Sequence, residues 1–142
     1  MKYVKRTMSL LILLALVLAV VVAVFVLLGG KTHALHREIS PSQQYTASDI
    51  RSAMWMVECR FRLGFRGCSL LELTYDEEFS ADRGREWAEQ YGAEEAIVLT
   101  SSFEVGESGP VTLNPNSTYR NWQWILTRSS GGFWKLRTSG YG

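Results

Sequence analysis

Two histidines, two cysteines and a scatter of carboxylates and tyrosines are the residues of this 142-residue chain with the chemistry to catalyse or to ligate. His33 and His36 stand three apart, a spacing that can bring two imidazoles to one metal ion. Two ligands are half of a metal site, and no cysteine or carboxylate pair stands beside them, so no metal and no other cofactor is expected. Beyond His36 there is no histidine at all, which removes Ser-His-Asp and Cys-His catalysis from the rest of the chain. Tyr75, Asp76, Tyr91 and Glu104 remain as an acid–tyrosine set of the kind a lyase or isomerase uses. Their spacing is equally that of a strand end, a helix cap and surface acids, and the expectation is that the protein is not an enzyme. Asp76, Glu77 and Glu78 crowd a predicted helix start, and Glu104 falls on the polar side of a predicted strand, so all four should ionise near about pH 4.

Cys59 and Cys68 would close a short loop if oxidised, a crosslink worth about 2–3 kcal/mol in the chain-entropy picture. Cys59 falls in mid-helix and Cys68 at a strand start, so two buried free thiols are the other reading. Five tryptophans, all beyond residue 50, suggest an aromatic box for a ligand. Trp122, Trp124 and Trp134, with Tyr75 and Tyr91, are the candidates. They are also natural core, since each aromatic side chain can bury about 150–250 Å².

These residues need a scaffold, and the chain divides sharply in building one. From Met8 to Leu28 runs an apolar stretch holding one polar residue, Ser9, and no charge. Twenty-one residues at about 1.5 Å each give about 32 Å, the thickness of a bilayer's hydrocarbon core. Lys2, Lys5 and Arg6 precede it without an acid, so residues 1–7 are expected to be cytoplasmic, 8–28 to span the cell membrane, and the remainder to lie outside. A secreted product cleaved after Thr32-His33-Ala34 is the alternative, although a signal's apolar region is usually shorter. Residues 29–44 mix Gly, Ser, Pro, His and charge without periodicity and read as a linker.

Residues 45–142 read as one α+β domain. Thr46 and Asp49 form a capping box, after which Ile50, Ala53, Met54, Val57 and Phe61 recur at helical spacing. Trp55, Cys59 and Leu63 lie off that stripe, which predicts a helix embraced on more than one side. Arg60, Arg62 and Arg66 near its end fit either an anion patch or cations at exposed carbonyls. Residues 41–142 hold ten bases and thirteen acids, a balance that argues against nucleic acid. A strand over 69–75 should turn Leu71, Leu73 and Tyr75 inward. A helix follows to about Tyr91, its Gly84, Trp87, Ala88 and Tyr91 on one side and Gly92 as its stop. A strand over 95–105 has Ile97, Leu99, Phe103 and Val105 inward. Residues 106–117 form a loop, with room for a short strand at 111–113 and a glycosylation-type tripeptide at Asn116. Residues 119–128 and 133–138 form a hairpin. A three-residue loop pairs Leu126 with Leu136 and Trp124 with Thr138, placing Trp122, Trp124, Leu126, Trp134 and Leu136 on one face. The order α-β-α-β-β-β predicts a curved antiparallel sheet wrapped around a long helix, a cone-like domain behind a transmembrane helix.

Gly67-Cys68, the run from Leu73 to Glu78, that from Trp87 to Ala93, that from Leu113 to Tyr119, that from Asn121 to Leu126, and Gly140-Tyr141 together resemble a functionally unassigned extracytoplasmic domain family of Gram-positive bacteria. The resemblance implies a nuclear-transport-factor-2-like (cystatin-like) fold outside the cell and supplies no activity. The lipoprotein cysteine and the metallopeptidase motif that accompany some such domains are missing here. Expected function is a membrane-anchored, non-catalytic domain binding a protein or cell-envelope partner. The alternatives are a small-ligand-binding cone and a cone-fold lyase or isomerase.

Overall fold

The computed structural model describes residues 1–141; Gly142 and the side chain of Lys2 lie outside the described set. Its elements are α1 (Lys2–Leu28), β1 (His36–Ile39), α2 (Ala47–Gly64), β2 (Cys68–Tyr75), α3 (Glu77–Tyr91), β3 (Glu95–Val105), β4 (Ser117–Arg128) and β5 (Lys135–Gly140). The architecture is mixed α+β: an apolar N-terminal helix, then a curved, unclosed five-stranded sheet in the order β1-β2-β3-β4-β5.

Helix α1 is long and apolar enough to cross a membrane, a test that a signal sequence also passes. Its apolar side chains are exposed along its length, so nothing in the domain shields them. Its C-cap, Gly29, donates to the Phe25 carbonyl, and Gly30 donates to that of Arg62 at 3.0 Å.

The segment read as a linker is not a free tether. It contains β1, which pairs parallel with β2, so the sheet is mixed rather than wholly antiparallel. Lys31 bridges Ser69, Ser40 donates to the Tyr75 carbonyl, and Arg37 reaches Glu58 at 2.8 Å. Only Ile39 of β1 is apolar, so no alternation betrays it. A short, charged strand held by backbone bonds is typical of a sheet edge.

Helix α2 starts at the capping box read from sequence: Asp49 N–H donates to Thr46 Oγ1, and Thr46 N–H donates back to the Asp49 carboxylate. Ile50, Ala53, Met54, Val57 and Phe61 are all buried against the concave face of the sheet, as their spacing predicts. The second apolar side is a correction, because Trp55 is 60% and Leu63 65% exposed. Five strands that do not close leave that flank uncovered.

In β2 the inward set is Cys68, Leu70, Leu73 and Tyr75, not Leu71. A bulge between Leu70 and Glu72 makes Leu71 the extra residue and shifts the phase for the rest of the strand. Strand β3 matches its expected limits and face. Its opposite face also buries Ala96 and Val98, because α3 lies across it. Gly84 permits that approach: a Cβ there would stand 2.8 Å from the Ala96 carbonyl oxygen. Asp76 caps α3 and Gly92, in the left-handed conformation, ends it. Residues 111–113 form a turn rather than a strand. The hairpin pairs Leu126 with Leu136 as expected, but a bulge beside Leu126 sets Trp124 opposite Ser139 instead of Thr138.

Candidate functional site

The interior is filled by side chains. Trp124 and Tyr75 are 0% exposed and Trp134 3%, so three of the five aromatics proposed for a pocket are core. Phe61, Phe65, Phe103 and Trp124 pack ring on ring, and the chain of contacts continues through Trp122 and Tyr119 to Tyr141 at the surface. Trp124 Nε1 donates to Ser101 Oγ at 2.8 Å, which satisfies its polar atom in an apolar setting. Trp122 is half-buried, and among the described residues its Nε1 is a buried donor without a partner. Tyr91 lies elsewhere, on α3, stacked against Trp87 and under the Arg137 guanidinium.

The acid–tyrosine set is not brought together. Tyr75 Oη meets Ser42 Oγ at 3.2 Å and Glu77 Oε2 at 3.5 Å, while Glu104 is exposed at the other end of the sheet, opposite Ser69. Asp76 is engaged as a helix cap, its Oδ1 accepting from Phe79 N–H. Glu77 corrects an expectation. Ser42 and two hydrogen bonds from the Gln43 N–H hold its carboxyl below the ordinary range, so it fastens the segment before α2 to the start of α3. Burial raises the Tyr75 hydroxyl.

Cys59 and Cys68 are free thiols. Cys68 is buried at the start of β2, and desolvation pushes its pKa to about 11. Cys59 faces the opposite margin of the sheet, lining the space beside β5. Among the described residues no three His, Cys, Asp or Glu side chains gather as metal ligands. His33 and His36 lie on the segment fastened along β2.

One polar cluster is structural. Arg128 at the end of β4 donates to Asp49 Oδ1 at 2.8 Å and to Glu95, and its guanidinium lies 4.2 Å from the Trp134 ring centre. That hydrogen bond, and one from Thr46, hold the Asp49 carboxyl below its usual value. Burial, then the Glu95 charge, pushes the neighbouring Tyr45 hydroxyl up to about 12. The cluster ties the start of α2 to β3 and β4.

One open space is a groove of about 760 Å³ between α2 and β5; another, of about 510 Å³, lies between α3 and the start of β3. In the first, Met56, Cys59, Arg60 and Leu63 form one wall, and Trp134 with β5 as far as Ser139 the other; among the described residues no carboxylate side chain lines it. β5 ends the sheet, so its outer edge has no partner strand. Sequence reasoning singled out Trp55, Cys59 and Leu63 as off-stripe but read them as enclosed. The signal was present, and only the number of strands decided its meaning. No family model, curated protein or solved structure matches this chain.

Proposed function

We propose that this chain is a membrane-anchored, non-catalytic domain that holds an extended segment of a partner protein in the groove between α2 and β5. One observation carries the reading. The concave interior is packed solid by Trp124, Tyr75 and Phe61, whereas α2 keeps Trp55 and Leu63 in solvent, and Leu63 lines the open space beside the unpaired edge of β5. A filled interior disfavours a small-molecule site, and an open edge flanked by apolar side chains suits addition of a strand. Arg60 and Lys135, without an acid in the lining, favour a segment that alternates apolar and acidic residues. The partner-bearing domain lies outside the cell, on the charge bias of Lys5 and Arg6 at the start of α1, ahead of its apolar stretch. The curved sheet and the helix packed in it support a cone-like arrangement of the nuclear-transport-factor-2-like kind, in keeping with the family resemblance.

The test is calorimetry on the full chain in nanodiscs, with a short synthetic peptide alternating Val with Glu and its Val-Lys counterpart. The acidic peptide should bind, and Leu63→Asp should weaken it by about tenfold or more, equivalent to about 1.4 kcal/mol. Equal binding of both peptides, or indifference to Leu63→Asp, overturns the groove reading. Protease added to intact cells should remove the domain; digestion only after lysis overturns the orientation.

A further inference from the structure

We infer that the end of the domain next to α1 is a seat for anionic phospholipid headgroups, holding the domain upright on the bilayer. The inference rests on α1 lying in a membrane; it shares Arg60 with the groove wall and is read by a different measurement.

The geometry begins at the junction. Only Gly29 and Gly30 separate α1 from contacts made by the domain, and both are pressed against the last turn of α2. A Cβ at Gly29 would stand 2.5 Å from the Arg62 carbonyl oxygen and 2.6 Å from that of Phe25. One at Gly30 would collide with the Phe61 carbonyl and ring. Immediately afterwards Lys31 N–H donates to the Cys68 carbonyl, and Leu70 N–H donates to that of Lys31. The elbow is therefore bonded on both sides, and it puts the C-terminal turn of α2 where the chain leaves the bilayer. Because the apolar surface of α1 stays exposed, the domain sits beyond the end of α1 rather than alongside it.

That turn is basic. Arg60 and Arg62 are exposed on it, Arg66 is exposed just beyond its end, and Lys31 is exposed on the elbow. The Arg60 guanidinium folds toward Gly64, along the helix in the direction of the bilayer. Arg62 is fixed by hydrogen bonds to Thr32 Oγ1 at 2.8 and 3.0 Å, which keeps it at the same level. The acids here are Glu58, buried under Arg37 and Arg62, and the exposed Glu104 and Glu107 on the neighbouring strand end and loop.

The far end of the sheet has the opposite character. Strand β2 carries the chain about 23 Å from Cys68 to Tyr75, and there Asp49, Asp76, Glu77, Glu78, Glu94 and Glu95 collect. Of the bases at that end, Arg128 is already bonded by Asp49 and Glu95, and the exposed Arg51, Lys135 and Arg137 are outnumbered by these six acids. A domain with its bases toward the bilayer and its acids away from it is oriented by an anionic surface. Each such base adds about fivefold to surface affinity.

The test uses the full chain in nanodiscs carrying a trace of phospholipid with a gadolinium-chelate headgroup, read by amide relaxation. One disc is phosphatidylcholine alone; the other contains about one-third phosphatidylglycerol. Relaxation enhancement at Gly64, Arg66 and Gly67 should rise about threefold with phosphatidylglycerol and stay low at Glu77 and Glu78, and the rise should be lost in about 1 M salt. Arg60→Glu with Arg66→Glu should abolish the rise, and Arg60→Lys with Arg66→Lys should keep it. Enhancement that ignores phosphatidylglycerol, or that is equal at both ends of the domain, overturns the seat. Flotation in an alkaline gradient separates the two failures: protein that leaves the vesicles overturns the anchor and the seat together, and protein that stays while relaxation is unchanged overturns the seat alone.

Discussion

Along the inward face of α2, Ile50, Ala53, Met54, Val57 and Phe61 are sealed against the sheet, while round the same helix Trp55 and Leu63 leave most of their surface in solvent. Side-chain type does not separate these positions, since Trp55 and Leu63 are as apolar as the sealed set. What separates them is the sheet, whose five strands curve over one side of the helix and stop at β5. An aromatic residue on one face is structural and on the other is free to bind, and the faces can be told apart by what each substitution costs.

The largest effect is expected at the core. Trp124→Ala should cost about 3–5 kcal/mol, the usual range for deleting a buried aromatic. It also removes the indole N–H that Ser101 Oγ accepts, leaving that hydroxyl only its bond to the Trp122 carbonyl. A domain of this size has about 5–15 kcal/mol in total, so thermal melting should fall far or be lost. Trp55→Ala, on the open face of α2, should shift stability by less than about 1 kcal/mol. A comparable loss from both would mean that the flank of α2 is covered after all.

Gly30→Ala comes next. Its Cβ would meet the Phe61 carbonyl and ring, on the inward face of α2 at the junction with α1. Forced displacement in a packed contact costs about 1–3 kcal/mol. The Gly30 N–H, bonded to the Arg62 carbonyl, should then exchange with deuterium faster than in the wild type. Unchanged exchange would show that α1 meets α2 loosely.

These comparisons also mark what the sequence could and could not disclose. The capping box at Thr46, the stripe from Ile50 to Phe61, the limits of β3 and the stop at Gly92 were legible because each rests on local chemistry. The bulge at Leu71 and that beside Leu126 were not, because an extra residue is set by the neighbouring strand and leaves the alternation ambiguous. Strand β1 was invisible for a related reason: its pairing is made by backbone groups, and its side chains are those of an edge. Among the site candidates, Trp124, Trp134 and Tyr75 were placed on the correct face. The openness beside Trp55 depended on how far the sheet wraps, a property of the whole chain.

A smaller effect concerns the clamp at the start of α2. Hydrogen bonds from Arg128 and Thr46 depress the folded-state pKa of Asp49, so the ionised form is favoured by folding. The sign follows: this contribution is complete above the unfolded value of about 4 and is lost as pH falls through the lower folded value. Denaturant midpoints measured from pH 6 down to pH 2 should therefore decline less steeply in Asp49→Asn than in the wild type. Parallel slopes would show that Arg128 is held by Glu95 alone.

The smallest effect on stability is expected from the cysteines, which sample the two settings with one chemistry. Cys68 is buried at the start of β2, and its pKa of about 11 leaves almost no thiolate at pH 8. Cys59 is half-exposed on the groove side of α2, among Met56, Leu63 and Leu136. Thiolate availability and access together govern alkylation. A maleimide at pH 8 should thus modify one thiol per chain rapidly, and Cys59→Ser should remove that phase while shifting stability by less than about 0.5 kcal/mol. Cys68 should react only on the timescale of unfolding, and urea should accelerate it. If Cys68 reacted as fast as Cys59 in the native protein, the β2 margin would be as open as the β5 margin, and the contrast drawn along α2 would fail.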